Sequence, residues 1–469
     1  MSNMSNRAIS NEAISDSALS KQLEATAAEF GIPGMTVGVW ADGREIFAEY
    51  GVTSIENPLP VDRDTLFTIG SAGKSCTATA VMRLVAEGRI DLDAPVLRYV
   101  PEFTLSDPAH AAAITVRQLL NHTSGLDWNL INDTGAGDDA LAEFVARLAE
   151  IPLIAVPGAR ASYSQAGFNL LGRVIEKVTG LTFEQAVTRL VLDPVGLAHS
   201  GYERDSIMTR RFAIGHERDE DGALSVTRTW TGTRANNPGG GLVSSVAEQL
   251  RWARFQLGDG RAESGEVVLP AAALHEMRRP TVDLRASSLG DAIGLCWFMR
   301  EIDGVATFGH GGSAFGQFAE LLLVPEHDFA IIVMSNASPD GIPSNRAVVR
   351  WALEHYLGLV DGDPEPLPFE ASRAGELLGT YDIDAMTMTV LTHGTGLSLE
   401  CRIKPEIRAA AETDLPQDHP PFPFALLPGD GDEYIITEGS FKGQRGFFSR
   451  DTTGAITGLD LAGRLFTRV

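Results

Sequence analysis

The order in which the hydrophobic period changes along the chain narrows the fold more than any other feature. Residues 19–30 have helical spacing. GMTVGVW (34–40), the turn Asp42-Gly43 and EIFAEYGV (45–52) then alternate as a β-hairpin does. A long helical pattern, CTATAVMRLVAEG, follows Ser71 and ends at Gly88. Residues 90–240 mix helices and loops. IGLCWFMRE (293–301), VATFGHGG (305–312), FAELLLVPE (318–326) and FAIIVMSN (329–336) read as successive strands, and a helix over 345–357 closes this part. Strand pair, helices, strand run, helix is an α+β order. It predicts an antiparallel sheet flanked by helices, together with an all-helical region.

The segment LVDGDPEPLPFE (359–370) is rich in proline and acid and reads as a linker. Beyond it, AMTMTVLT (385–392), LSLECRI (397–403) and the tail GFFSRDTTGAITGLDLAGRLFTRV read as short strands joined by glycine turns. A separate β-barrel or sandwich over 371–469 fits that spacing. The expected division is a frayed terminus at 1–17, a catalytic domain at 18–358, the linker, and the β domain. There is no internal repeat.

The formal net charge of −24 would repel a phosphate backbone or an anionic membrane, so neither nucleic acid nor membrane is an expected partner. No run of 18 apolar residues predicts a spanning helix. The first residues, MSNMSNRAIS, lack the basic start and apolar core of a secretory signal, so a cytoplasmic location is the default expectation. Three scattered cysteines, Cys76, Cys296 and Cys401, show neither zinc spacing nor a disulfide framework. No metal or other cofactor is expected, and the expected partner is a small-molecule or peptide substrate.

The chain has only five lysines, and one stands in FTIGSAGKSCTATAVM. Ser71 opens the helical run and Lys74 follows three residues later, on the same helix face. A lysine there takes a serine proton if burial or a positive neighbour lowers its pKa. The helix start also offers the Ser71 amide to an oxyanion. The alternative makes Ser71 an N-cap and Lys74 a surface residue. The apolar flanks, Phe67, Ile69, Ala78, Ala80, Val81 and Leu84, oppose that alternative.

Two further segments fit the same chemistry. In VPGARASYSQAGFNLLG, Tyr163 and Gln165 point the same way if the loop is extended. Tyr163 then serves as acid or base, and Gln165 holds Lys74 and a substrate amide. The plainer alternative is a buried tyrosine beside a capping amide. In FGHGGSAFG, His310 stands ready to polarise or protonate groups near the serine. Gly311 and Gly312 leave room for a substrate backbone, and the Ser313 amide is a second oxyanion donor. The plainer alternative is a glycine-rich turn with a structural histidine. HGGS also forms an oxyanion loop in lipases, but there it precedes a G-x-S-x-G nucleophile, and none follows it here.

Taken together and in this order, the three motifs resemble the serine β-lactamase and penicillin-binding protein superfamily. The similarity is to its class C β-lactamase-related branch of D-aminopeptidases, D-amino-acid amidases, esterases and penicillin-binding-protein-type thioesterases. LLNHTSGL (119–126), PGGGLVSSVAEQLRWA (238–253) and IGLCW (293–297) look like landmarks of the same family, and the match runs over about residues 20–358. The tail is similar to the lipocalin-like domain that several relatives carry. The resemblance implies Ser71 as nucleophile, Lys74 as base, Tyr163 as proton relay and His310 in place of a lysine. It also implies an oxyanion hole at the Ser71 and Ser313 amides.

Gln165 replaces the usual asparagine, and the third motif lacks the lysine and hydroxyl that grip a β-lactam carboxylate. Both departures argue against an efficient β-lactamase. The implied activity is a serine hydrolase forming an acyl-Ser71 intermediate on a D-amino-acid peptide or amide, or on a small ester. The alternatives are a peptide cyclase or transpeptidase and a catalytically inactive peptide- or cell-wall-binding module. Arg464, in GRLF, meets a substrate carboxylate if the tail folds over the site, and is otherwise a surface residue.

Overall fold

The helix α1 (Ser17–Phe30) opens on Asp16, whose carboxylate accepts the Ala18 and Leu19 amides, and closes on Gly31 at φ 62°. Asp16 and Ser17 are thus cap and first turn rather than frayed chain. The computed structural model describes residues 16–469, apart from 128–132, 220, 231, 411–417, 419, 430 and 440. The rest of the expected frayed segment, residues 1–15, lies outside the described residues.

The hairpin β1 (Gly34–Ala41) and β2 (Arg44–Gly51) turns at Asp42 and Gly43, both with positive φ. The helical block follows, with α2 (Lys74–Ala86), α3 (Gln165–Thr179) and α4 (Val246–Leu257) as its principal helices. Six strands come next: β3 (Val282–Ser287), β4 (Gly290–Ile293), β5 (Phe298–Ile302), β6 (Val305–Ala314), β7 (Gln317–Val324) and β8 (Phe329–Ser335). The eight strands make one antiparallel sheet in the order β2-β1-β8-β7-β6-β5-β4-β3. The N-terminal hairpin therefore closes onto the last strand of the run, with Val37 opposite Val333.

Both sheet faces are covered, which is why FAIIVMS is buried at every residue instead of alternating. Leu321, Leu323, Ala330, Ile332 and Met334 face the helical block. Their period-2 neighbours Leu322, Val324, Phe329, Ile331 and Val333 pack with Leu19 and Leu23 of α1. The same layer takes Val348 and Val349 from α5 (Gly341–Ala352).

Two elements differ from the sequence expectation. The strand expected over 293–301 is two strands, because the chain leaves the sheet between them. There the Leu295 amide donates to Met277, the Cys296 amide donates to Leu120, and Cys296 takes φ 82°. The last helix starts at Gly341, four residues early, and ends in a π-turn at Leu353–Leu357. Gly341 and Pro343 look like breakers, but first-turn amides have no intrahelical acceptor, so proline is tolerated there.

Residues 359–370 have no regular structure. They are held by Asp361, which pairs with Arg300 and Arg350, and by Asp363, which pairs with Arg346 and Arg350. Beyond them, eight antiparallel strands close a barrel. These are β9 (Gly379–Asp382), β10 (Met386–His393), β11 (Gly396–Ile403), β12 (Phe422–Leu426), β13 (Glu433–Ile436), β14 (Arg445–Arg450), β15 (Ile456–Leu461) and β16 (Arg464–Arg468). Closure leaves no unpaired edge, and Leu399, Phe424, Tyr434, Phe448 and Phe466 fill the interior. Among the described residues, no helix is long and apolar enough to cross a membrane.

Candidate active site

Ser71 lies in a single 3-10 turn, Gly70–Gly73, that runs directly into α2. The turn is possible because Gly70 holds φ 54°. A Cβ on Gly70 would lie 2.6 Å from the Ser313 amide nitrogen, so only glycine lets β6 pass this close. Gly312 is its counterpart on the strand: a Cβ there would strike the Ile69 carbonyl and lie 2.9 Å from the Ser71 nitrogen. These glycines let two backbones touch and set the Ser71 and Ser313 amides side by side. Gly311 has a different neighbour, since a Cβ there would lie 2.8 Å from Glu320 Oε2.

Lys74 begins α2, is fully buried at 0 % exposure, and turns its Nζ to 3.2 Å from Ser71 Oγ. The amine also donates to Gln165 Oε1 at 2.7 Å and to the Gly239 carbonyl at 2.5 Å. Burial pulls its pKa down to about 7; Cys296 opposes that shift, and the Arg464 charge, a lesser effect, pushes the same way as burial. The surface-lysine alternative is therefore excluded. Near neutral pH a substantial fraction of Lys74 is an amine with a free lone pair.

Gln165 is the first residue of α3, whose start is capped by Ser164 Oγ accepting the Gly167 amide. Its Nε2 donates to Asn169 Oδ1 at 3.0 Å and to the Asn236 carbonyl at 3.3 Å. The Gln165 amide is thus committed on both ends: the oxygen orients Lys74, and the nitrogen is anchored to the protein rather than offered to a substrate.

Tyr163 is buried, and Lys74 Nζ sits 4.9 Å from its ring centroid. Its hydroxyl faces Ser71 without completing a hydrogen bond of good geometry. Burial pushes the phenol well above its ordinary pKa, with Ser71 and Arg464 opposing, so it keeps its proton at neutral pH and acts as a donor. His310 packs in the same cluster, its ring centroid 6.2 Å from that of Tyr163 and tilted 55° to it. Its Nδ1 lies 2.5 Å from the Gly311 carbonyl, which can only accept, so Nδ1 carries the proton. Burial, helped by Lys74, lowers the His310 pKa to about 3. Its buried Nε2 is therefore a bare acceptor, and of the two groups expected to protonate a leaving group, Tyr163 is the one with a proton to give.

Sequence reasoning missed three contributors. Gly239 supplies the carbonyl that grips Lys74, and a main-chain acceptor leaves no residue signature. His122, at φ 58°, accepts the Ser164 amide on Nδ1 and packs 4.5 Å from the Tyr163 ring, fixing the loop that carries Tyr163 and Gln165. The barrel is the third: the Tyr163 amide donates to Gly463 at 2.7 Å, and the Leu465 amide donates to Ser162 Oγ at 3.2 Å. The Asp384 amide adds a bond to Asp127 at 2.9 Å. The β15–β16 turn therefore sits on the tyrosine loop and brings the Arg464 guanidinium to 5.2 Å from the Tyr163 ring. Arg464 is not a surface residue.

Ser71, Tyr163, His310, Gly311, Gly312, Ser313 and Arg464 line one cleft of about 1400 Å³, counted out to solvent. The sequence-predicted site residues meet there, with Lys74 and Gln165 immediately behind Ser71. Among the described residues, no group of three or more His, Cys, Asp or Glu is placed to hold a metal ion.

This arrangement has relatives. A beta-lactamase family model matches residues 19–356. Penicillin-binding protein 4 of Amycolatopsis lactamdurans is 32% identical over 319 residues, 67% of this chain and 84% of that protein. The crystal structure of SurE with D-Leu aligns over 96% of this chain and 99% of its own, barrel included, at 25% identity and a TM-score of 0.74. The D-amino acid amidase of Ochrobactrum anthropi SV3, solved with L-phenylalanine amide, aligns over 72% of this chain and 98% of its own at 23% identity and a TM-score of 0.62. With the model covering the sheet, the helical block and every residue of the Ser71–Lys74–Tyr163–His310 cluster, the chain belongs to the beta-lactamase family.

Proposed function

We propose that this protein is a serine hydrolase that opens amide or ester bonds through an acyl-Ser71 intermediate, acting on a D-amino-acid peptide or amide or on a small ester. One observation carries the reading: a fully buried lysine, brought to a pKa of about 7, 3.2 Å from a serine hydroxyl at the mouth of a cleft. A buried amine with no function would be costly to keep, whereas a general base working near neutrality needs this poise.

The amine of Lys74 takes the Ser71 proton as Oγ attacks the carbonyl carbon. The Ser71 and Ser313 amides hold the oxyanion, and loss of either donor costs about 2.7–4 kcal/mol. As the intermediate collapses, Tyr163 gives its proton to the leaving nitrogen or oxygen, and the ammonium of Lys74 replaces that proton. His310 Nε2 then accepts a hydrogen bond that orients the entering water; Lys74, neutral again, takes the water proton as the oxygen attacks the acyl carbon and returns it to Ser71 Oγ as the acyl–oxygen bond breaks. The D-amino-acid preference rests on SurE, at 25% identity over nearly the whole chain, having been solved with D-Leu. Rates for wild type and Ser71→Ala on matched D- and L-amino-acid amides and on p-nitrophenyl acetate test the reading. Equal rates in the two proteins would remove it.

A second reading, acyl transfer to an amine with release of a cyclic or extended peptide, is favoured by the barrel. Its β15–β16 turn places Arg464 in the cleft wall, where a guanidinium meets the carboxylate of an incoming amino acid. A peptidyl thioester converted only to the linear acid would eliminate it.

A further inference from the structure

The cleft does not end at the catalytic cluster. β6 pairs with β5 only as far as Gly309, so residues beyond it have a free edge on that side. Across this edge the cleft continues to the far face of the sheet, toward α5 and the barrel turn at 443–445, where Glu320, Asn345, Arg346 and Gln444 line it. Glu320 stands opposite Gly311 on β7, and its Oε2 occupies the space that a Gly311 side chain would need. Gly311 is one Cα step, ~3.8 Å, from Gly312, which lies against the Ser71 amide.

The buried side-chain atoms of this extension that lack a partner are both amide oxygens. Asn345 is 1 % exposed, and its Oδ1 lacks a donor while its Nδ2 is held by the Val333 carbonyl. Gln444 Oε1 is likewise buried without a donor. The nearby cations are already engaged: Arg300 with Asp361, Arg346 with Asp363 and the Gly443 carbonyl, Arg350 with both aspartates, and Arg445 with Asp291. Burial raises the Glu320 pKa despite the opposing pull of Arg300 and Arg346, so its charge is under-compensated as the protein stands.

We infer that this extension is a subsite for a primary ammonium or similarly donor-rich cationic group on the substrate, received by Glu320, Asn345 and Gln444. The inference rests on the hydrolase reading and adds a substrate class to it: peptides or esters with an amine a few bonds from the scissile carbonyl. An ammonium has three donors and one positive charge, which matches three acceptors of which one is an under-compensated carboxylate.

The test uses full-length protein and three fluorophosphonates that differ only at the chain end: aminoalkyl, hydroxyalkyl and carboxyalkyl. Rates of Ser71 modification are read by intact mass and peptide mapping. Wild type is expected to react with the ammonium probe about tenfold or more faster than with the hydroxyl probe. In Glu320→Gln that ratio is expected to fall to within about twofold of one, whatever the absolute rates. A wild-type ratio near one, a preference for the carboxylate probe, or a preference kept in Glu320→Gln overturns the inference and leaves the hydrolase reading intact. No Ser71 adduct with any probe overturns both.

Discussion

Replacing Arg464 by glutamine should move the pH at which the enzyme switches on. Lys74 and Arg464 flank one phenol ring, with Nζ 4.9 Å and the guanidinium carbon 5.2 Å from its centroid, so the two charges are at most about 10 Å apart. At an effective dielectric of ~20 that separation carries about 1.5 kcal/mol of repulsion, or about one pH unit of the Lys74 titration. The positive neighbour disfavours the ammonium, so removing it stabilises the ammonium and raises the pKa. In wild type, kcat/KM on a neutral p-nitrophenyl ester should rise with pH through about 7, as Lys74 loses its proton. In Arg464→Gln the same limb should appear near pH ~8. The position of the limb is the readout, because Arg464 also lines the cleft and its loss lowers the plateau. A limb that stays at 7, or moves down, refutes the account of how Lys74 is poised.

Other consequences follow from the same contacts. Gly312→Ala drives a methyl into the Ile69 carbonyl and toward the Ser71 amide; the fold should survive by circular dichroism while kcat falls ~100-fold or more. Asp460 is buried and its pKa is raised to about 8, chiefly by burial. Its folded value lies above its unfolded one, so its contribution to stability is present at low pH and is lost as pH rises from ~4 to ~8. Asp460→Asn should therefore raise Tm by a few degrees at about pH 8.5 relative to wild type, with a smaller gain at about pH 5; the reverse order would contradict the assignment. Ser162→Ala removes the acceptor for the Leu465 amide, and should cost about 1 kcal/mol in urea titration and lower kcat more than it changes KM, because the Tyr163 loop loosens. An unchanged kcat would mean the barrel does not position that loop.

The catalytic pair was readable because it is local: Ser71 and Lys74 sit three residues apart at a helix start, and apolar flanks predicted the burial that the lysine needs. The hairpin was legible from its alternation and its Asp42-Gly43 turn, and the later strands from short apolar runs, even though their pairing spans some 300 residues. What stayed hidden has a common physical cause, in that it depends on main-chain atoms brought together from afar. The Gly239 carbonyl on Lys74, the Gly463 carbonyl on the Tyr163 amide and the Leu295–Cys296 amides that divide one strand into two carry no side-chain signal. Gly312 was noticed for the room it leaves a substrate, whereas that room is filled by Ile69 and Ser71. His310 was readable as a site residue, but its protonation depends on the Gly311 carbonyl and on Lys74, which only the folded cluster supplies. Glu320 gave no signal, because its role depends on facing a glycine across the sheet.

Trapping the intermediate tests the role of Ser71 and Lys74 directly. Wild-type protein mixed with a slowly deacylating D-amino-acid ester, quenched in acid within the first turnover and digested, should yield one peptide carrying the acyl mass, localised to Ser71. Its formation rate should rise with pH through about 7. In Lys74→Met the adduct should form at least ~1000-fold more slowly, although the serine is intact. An acyl group found on another residue, or one that forms on Ser71 just as fast without Lys74, would contradict the account.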